Sequence, residues 1–471
     1  MPLPELIEIV PLAGTARAEI TAPGSKSITN RALVLAALGR WETTLQGALW
    51  SEDTQVMVDC LQTLGFSVQV RRDADEVCNR TISVSGLGGT IPRGGTPENP
   101  LELFVGNAGT AARFLAAMVC LGTGVYRLSG VPRMHERPQA ALFSALRELG
   151  YRIDSPNDKL PAVIHGGGPK PGRCRVSIAE SSQFASGSLL SAQVGRWNVE
   201  VIGENAEESP YVSLTTNMIR RFQDLEWARP DTAPGTPASA GSGGPILHGL
   251  LWPLPAEAGV PEYDAAPSGF KGAFQIEPDC SSGSYFWAAG EPGDIHVAHW
   301  PDSGWQMDER FPELWRGLRT PASSPMTISR LRDLGDSIMT AIAMAPLLER
   351  AVQFTDLGRL RVQECERVAA LRTELTKCGA KVVETGDTLS VFPSQLHGAE
   401  IETYNDHRMA MCFAILGLKV PGLRLHNPAC VKKTFPNFFQ KLAAPTPAGL
   451  GASLLDGASG RPLRADELFA T

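Results

Sequence analysis

Residues 57–70 read MVDCLQTLGFSVQV, residues 142–154 read LFSALRELGYRID, and residues 371–383 read LRTELTKCGAKVV. Each is an amphipathic helical run, then a glycine (Gly65, Gly150, Gly379), then a short alternating run. A glycine at that point suits the left-handed position after a helix, where the chain turns at once into the next element. The same helix–glycine–strand join, met three times, predicts an α/β fold built by repetition. The chain has 471 residues, too many for one ordinary hydrophobic core, so two domains are expected.

Composition narrows the function classes. Apolar residues make up 43% and charged residues 20%, the balance of a globular protein. No run of some eighteen uncharged apolar residues is present, so no membrane-spanning helix is expected. Residues 1–10 carry Glu5 and Glu8 and no basic segment, unlike a secretory signal. Nine cysteines without a CxxC pair fit reduced thiols in the cytoplasm, and no metal-ligand spacing stands out. The net charge of −7 argues against nucleic-acid binding, so any anion site must come from local clusters of Lys and Arg. Residues 228–244, ARPDTAPGTPASAGSGG, read as a flexible surface insertion, and the tail from Ala443 reads as poorly packed.

Those basic clusters recur where helices begin. Residues 24–31, GSKSITNR, put Lys26 and Arg31 at the start of an apolar run, where free N–H groups and the helix dipole favour anions. Residues 106–113, GNAGTAAR, pair two glycines with Arg113, and residues 132–138, PRMHERP, hold two arginines between prolines. Ser181, Ser182 and Gln183 precede another apolar run, with Ser209 and Tyr211 downstream. Asp336 lies where a helix would start, as a cap or a general base. Residues 361–367, RVQECER, alternate in charge, residues 403–411 read TYNDHRMAM, and Lys433 sits in KKTFP. Taken singly, each matches ordinary capping or solvated surface charge.

In their joint order these segments, with SSQF, EPDCSSGSYF, GDSIMT and KTFPNFF, resemble the signature segments of the 5-enolpyruvylshikimate-3-phosphate (EPSP) synthase family, from about Leu12 to about Leu442. The resemblance implies a two-domain enolpyruvyl transferase fold, an inside-out α/β barrel with three βαβαββ repeats per domain. It places residues 22–276 in one domain, with the insertion at about 228–262. Residues 1–21 and 277–442 form the other, and 443–471 are the tail. It implies transfer of enolpyruvyl from phosphoenolpyruvate to the 5-hydroxyl of shikimate-3-phosphate, by addition and elimination, with no metal and no cofactor. It also implies small-molecule substrates, a monomer, and neither nucleic acid nor membrane as partner.

By the same resemblance, phosphoenolpyruvate would be held by Lys26, Asn107, Gly109, Arg113, Arg133, Gln183, Arg367, Arg408 and Lys433. The acceptor would be held by Ser27, Arg31, Ser181, Ser182, Gln183, Ser209, Tyr211 and Asp336. Asp336 would accept a proton, Glu364 would donate one, and Lys26 would assist both. The acceptor side departs from the family pattern. Gln363 stands where the family has Lys, Arg359 where it has Asn or a similar polar residue, Glu208 where it has Ser, and Phe114 where many members have Pro. A lost Lys removes a charge-assisted hydrogen bond worth roughly 1.5–3 kcal/mol, on the order of ten- to a hundredfold in affinity. Arg359 and Ser209 are the residues placed to restore what is missing. If they do not, the implied alternatives are a same-fold paralogue with another acceptor or a binding protein that kept the cleft.

Overall fold

The computed structural model describes residues 3–14, 16–203, 209–227, 271–290, 294–321 and 324–470. Glu208 and the insertion at 228–262 lie outside them. The three repeated stretches form as their patterns predict. Helices Glu52–Thr63, Ala140–Glu148 and Arg367–Lys377 are followed by Gly65, Gly150 and Gly379, at φ +94°, +82° and +90°. The residue after each glycine donates back five positions, Phe66 to Leu61, Tyr151 to Leu146 and Ala380 to Leu375, at 3.0–3.2 Å. That closes a helix end only when the intervening residue is left-handed, the conformation glycine adopts without a steric penalty. The strands that follow, Val68–Arg72, Arg152–Asp154 and Val382–Thr385, are each the edge of a four-stranded sheet.

Four sheets share one pairing rule: an edge strand, two antiparallel partnerships, then one parallel partnership. In the first, Val68–Arg72 pairs with Asn79–Ser85, then Glu42–Leu49, then Lys271–Gln275. The second runs from Arg152–Asp154 to Leu101–Phe104 and the third from Val382–Thr385 to Met326–Ser329. The fourth obeys the same rule with a different origin for its strands. Its edge is Leu454–Asp456, its second strand Leu6–Ile9, its third Leu423–His426 and its fourth Glu400–Ile401.

This corrects the expectation of a poorly packed tail. Leu450, Leu454, Leu468 and Ala470 are buried in the core, and Val10 donates to the Ser453 carbonyl at 3.0 Å. The tail lacks a clear local pattern because its strand is only three residues long and takes its register from Ile7–Ile9, far away in sequence.

Two hydrophobic cores result, one drawn from residues 28–276 and the other from 3–22 together with 285–470. The segments joining them run side by side: Ser25 donates to the Glu277 carbonyl and Asp279 to the Pro23 carbonyl, both at 2.8 Å. Helices occupy the interior. All ten residues of Gly109–Met118 and all eleven of His407–Gly417 are buried, which their small and apolar sequences permit. The sheets lie outside them with one face toward water, as the alternating burial of Val382–Thr385 illustrates. Among the described residues no helix is long and apolar enough to cross a membrane.

Candidate active site

The N-termini of several helices from both units open on one cavity. Lys26 and Ser27 begin Lys26–Leu38, Ser182 and Gln183 begin Ser182–Gly195, and Pro210 and Tyr211 begin Pro210–Trp227. From the second unit come Arg367 of Arg367–Lys377 and His407 and Arg408 of His407–Gly417. Local chemistry fixes these ends. Ser181 caps its helix by accepting from the Gln183 N–H at 3.2 Å, and Asp406 accepts from the Arg408 N–H at 2.9 Å. The helix dipoles add to the side-chain charge, so the cavity is strongly cationic.

Two carboxylates with little exposure are each gripped by two cations. Glu364 lies 2.8 Å from Arg367 Nη2 and 3.2 Å from Lys433 Nζ. Asp336 lies 2.8 Å from Arg330 Nη2 and 3.1 Å from Arg408 Nη2. Burial alone would push both carboxyls up. The surrounding cations outweigh it, and both lie below the ordinary carboxylate value, Glu364 far below it. Asp336 is not the helix cap: Ser337 holds that position, which leaves the Asp336 side chain free for the arginines.

Of the remaining cations, Lys26 meets a carboxylate, whereas Arg113 and Arg31 are positioned by neutral groups. Lys26 Nζ meets Asp53 at 3.2 Å. Arg113 donates to Gln183 Oε1 at 3.1 Å and to the Pro138 carbonyl at 3.0 Å, and Gln183 Nε2 donates to Thr110 at 3.3 Å. Arg31 donates to Thr215 Oγ1, Ser186 Oγ and the Ser27 carbonyl at 2.8–2.9 Å, with its guanidinium 5.2 Å from the Phe114 ring. Burial lowers Arg31 to about 10. A Cβ at Gly109 would lie 2.4 Å from Arg113 Nη1 and 2.7 Å from Arg137 Nη2, so a side chain there would push these guanidinium groups aside.

Of the residues singled out from sequence, Lys26, Ser27, Arg31, Arg113, Ser181, Ser182, Gln183, Tyr211, Asp336, Arg359, Gln363, Glu364, Arg367 and Arg408 all line this cavity. Lys433 stands behind Glu364 and also approaches the Asn107 carbonyl at 3.5 Å. Arg133 is at the rim, half-exposed, paired with Glu136 at 2.6 Å and donating to the Gln363 carbonyl at 3.3 Å. Ser209 is buried, and its hydroxyl meets no described group. Gln363 accepts from Arg367 through its side-chain oxygen. Arg359 crosses between the units to donate to the Ile178 carbonyl at 2.6 Å.

Arg137, Arg330 and His407 are among the lining residues that the sequence reading did not assign. Arg137, in PRMHERP, turns inward and donates to the Asn107 carbonyl at 3.2 Å. The fixed Pro-bracketed loop was a signal, but it did not say which arginine points in. Arg330 carried no motif. His407, inside TYNDHRMAM, was quoted without a role; both its ring nitrogens are buried without a hydrogen-bond partner, and burial drives its pKa well below the usual value. Among the described residues, no group of three or more His, Cys, Asp or Glu is arranged to hold a metal ion.

The family model for EPSP synthase (3-phosphoshikimate 1-carboxyvinyltransferase) matches residues 13–224 and 266–442. The chain belongs to the EPSP synthase family. The 3-phosphoshikimate 1-carboxyvinyltransferase of Opitutus terrae is 36% identical over 457 residues, covering 94% of this chain and 98% of that protein. The enzyme of the same name from Laribacter hongkongensis is 37% identical over 464 residues, covering 93% and 99%. Solved structures share the fold at lower identity. The EPSP synthase of Acinetobacter baumannii superposes with a TM-score of 0.66 at 20% identity, covering 95% of this chain and 99% of that one. The enolpyruvyl transferase NikO of Streptomyces tendae gives 0.61 at 15%, covering 96% and 99%. The family match leaves out residues 225–265, where the Pro/Gly-rich insertion falls.

Proposed function

We propose that this member of the EPSP synthase family transfers the enolpyruvyl group of phosphoenolpyruvate to the 5-hydroxyl of shikimate-3-phosphate and releases phosphate. The observation that carries the reading is the pair of cation-bracketed carboxylates, Asp336 and Glu364, in one cationic cavity. A substrate bearing a carboxylate and a phosphate cannot leave water without fixed partners. Lys26, Arg113, Arg137, Arg367, Arg408 and Lys433 supply those charges, and Asn107, Gly109 and Gln183 supply the neutral lining between them. Ser27, Arg31, Ser181, Ser182 and Tyr211 face the acceptor.

The chemistry needs one base and one acid. Asp336 takes the proton of the acceptor hydroxyl as its oxygen bonds to C2 of the enol. Glu364 gives a proton to C3, which yields a tetrahedral ketal. In the second step the bond from C2 to the phosphate oxygen breaks, a C3 proton returns to Glu364, and the departing phosphate takes up the proton held by Asp336. Asp336 suits its part because two arginines keep it ionised. Glu364 is ionised in the empty site as well, so it must gain its proton when substrate anions take over Arg367 and Lys433.

The reading includes a monomer in the cytoplasm. All nine cysteines are unpaired, which fits a reducing compartment. Incubation with both substrates is expected to release inorganic phosphate and form the enol ether, with neither substrate sufficient alone. Folded protein that binds both substrates without turnover would refute the assignment.

A further inference from the structure

A third carboxylate, Asp308, borders the same cavity and is buried. It differs from Asp336 and Glu364 in its partners. Every group described as bonded to it is an N–H or a hydroxyl, not a cation. A buried carboxylate without a cation is costly unless hydrogen bonds satisfy it. Four groups do so here. Oδ1 accepts from the Gly335 N–H and from the Ser337 hydroxyl, both at 2.6 Å, and Oδ2 accepts from the Ser281 hydroxyl at 2.5 Å. The Ser337 N–H lies 3.3 Å from both oxygens.

Three of the four groups belong to the residues on either side of Asp336. The chain before and after the base is thereby held by one carboxylate, while the Asp336 side chain is left to Arg330 and Arg408. The local sequence is fitted to that grip. A Cβ at residue 335 would lie 3.1 and 3.2 Å from the two oxygens of Asp308, tighter than ordinary contact, so a glycine there lets the carboxylate sit this close. Ser337 is the cap residue of the helix Ile338–Met344, yet its side chain makes no capping bond. A serine at a cap ordinarily accepts from the first turn of its helix. This one donates to Asp308 instead.

The turn that carries Asp308, Met307–Arg310, is itself anchored. Gln306, just before it, donates to the Glu277 carboxylate at 3.0 Å and to the Pro278 carbonyl at 2.8 Å, and accepts from the Cys280 N–H at 3.0 Å. Those partners lie in the segment that joins the two units. Arg310 donates to the Arg332 carbonyl at 3.1 Å, in the loop that leads to Asp336. The backbone of the base is thus tied to the junction between the units. Such a tie matters because Arg408 is also assigned to phosphoenolpyruvate. An arginine that turns to substrate loosens its hold on Asp336, and the base then keeps its place through its backbone.

We propose that Asp308 is a positioning residue for the transfer reaction, which fixes the base Asp336 by holding Gly335 and Ser337. This rests on the reading that Asp336 takes the proton of the acceptor hydroxyl.

The test is a double-mutant cycle on the full chain, reading kcat from phosphate release and Kd of shikimate-3-phosphate by calorimetry. Asp308→Ala is expected to lower kcat by about 10²-fold, the size of loss that follows from a misplaced catalytic group, with Kd changed by no more than about threefold. In an Asp336→Asn background the same substitution should change kcat by less than about twofold, because a residue that acts through the base has nothing left to position. Asp308→Asn, which keeps an oxygen for Gly335 and Ser337, should restore most of the lost kcat. Ser337→Ala removes one hydroxyl and no capping bond. It should lower kcat by roughly tenfold in the wild type and leave Asp336→Asn unchanged, and it decides the matter if Asp308→Ala does not fold. Wild-type kcat in folded Asp308→Ala, or an equal loss with and without Asp336, overturns the proposal and leaves the functional reading standing. A wild type that does not turn over the two substrates overturns the functional reading, and the proposal with it.

Discussion

The ammonium group of Lys433 lies 3.2 Å from the carboxylate of Glu364, which Arg367 holds from another direction at 2.8 Å. Both cations that a substrate anion would need are thus paired with the protein's own carboxylate. A substrate anion that pairs with Lys433 and Arg367 must displace it. Glu364 is then left with burial as the dominant influence, and burial raises a carboxyl pKa.

Proton uptake on binding phosphoenolpyruvate follows from that exchange. A group whose pKa rises on binding takes up a proton, so affinity falls as pH increases through the raised value. Calorimetry near neutral pH in buffers of different ionisation enthalpy should show net uptake in the presence of acceptor. Glu364→Gln should abolish it. Equal heats in all buffers would exclude the exchange.

Glu364→Gln should also separate binding from chemistry. Removing the acid is expected to lower kcat by about 10²–10⁴-fold. Phosphoenolpyruvate should bind as tightly or more tightly, because the amide no longer competes as an anion for Lys433 and Arg367. Steady-state kcat beside a directly measured Kd checks both halves. Weaker binding with unchanged kcat would place Glu364 in binding alone.

Asp336 makes a prediction about stability in acid. Its folded pKa lies below the ordinary carboxylate value, so its ionised form adds stability that is complete above about pH 4 and is lost as pH falls through the folded value. Urea unfolding of the wild type should therefore weaken steeply below about pH 4. Asp336→Asn should flatten that loss and, having lost the proposed base, cut kcat by about 10²-fold or more.

Leu468→Ala tests the tail. Leu468 is fully buried against the second core, and deletion of such a side chain costs about 2–5 kcal/mol. Denaturant unfolding should show that loss for the second unit. An appended, loosely attached tail would show none.

Legibility followed the range of the interactions. Gly65, Gly150 and Gly379 were readable because the helix, its end and the next strand are contiguous in sequence. Lys26, Arg113, Gln183, Arg367 and Arg408 were readable for a similar reason: each sits in the first or second turn of a helix whose start is written locally. Arg330 was not. Residues 329–335, SRLRDLG, run straight into Asp336, but nothing local in them says that Arg330 turns into the cavity that Tyr211 and Arg359 also line. Arg133 and Arg137 are indistinguishable by composition; Arg133 lies within the five-residue helical turn Pro132–Glu136 and faces the rim, while Arg137 caps its end and lines the cavity. The strand Leu454–Asp456 was hidden because its partner, Leu6–Ile9, sits more than four hundred residues earlier.

That last pairing sets an order of assembly. In the fourth sheet the edge strand comes last in the sequence and its neighbour comes first, so the repeat is cut open; the first sheet also waits for a distant strand, Lys271–Gln275, whereas the second and third are continuous. During synthesis the core of residues 28–276 can consolidate while Leu6–Ile9, with three apolar side chains in four, still waits for both its neighbours. Leu423–His426 reaches it late, and Leu454–Asp456 later still. The second unit is therefore closed only once Leu454–Asp456 has been made, and until its two partners arrive the apolar strand Leu6–Ile9 has unpaired edges to be kept from other chains.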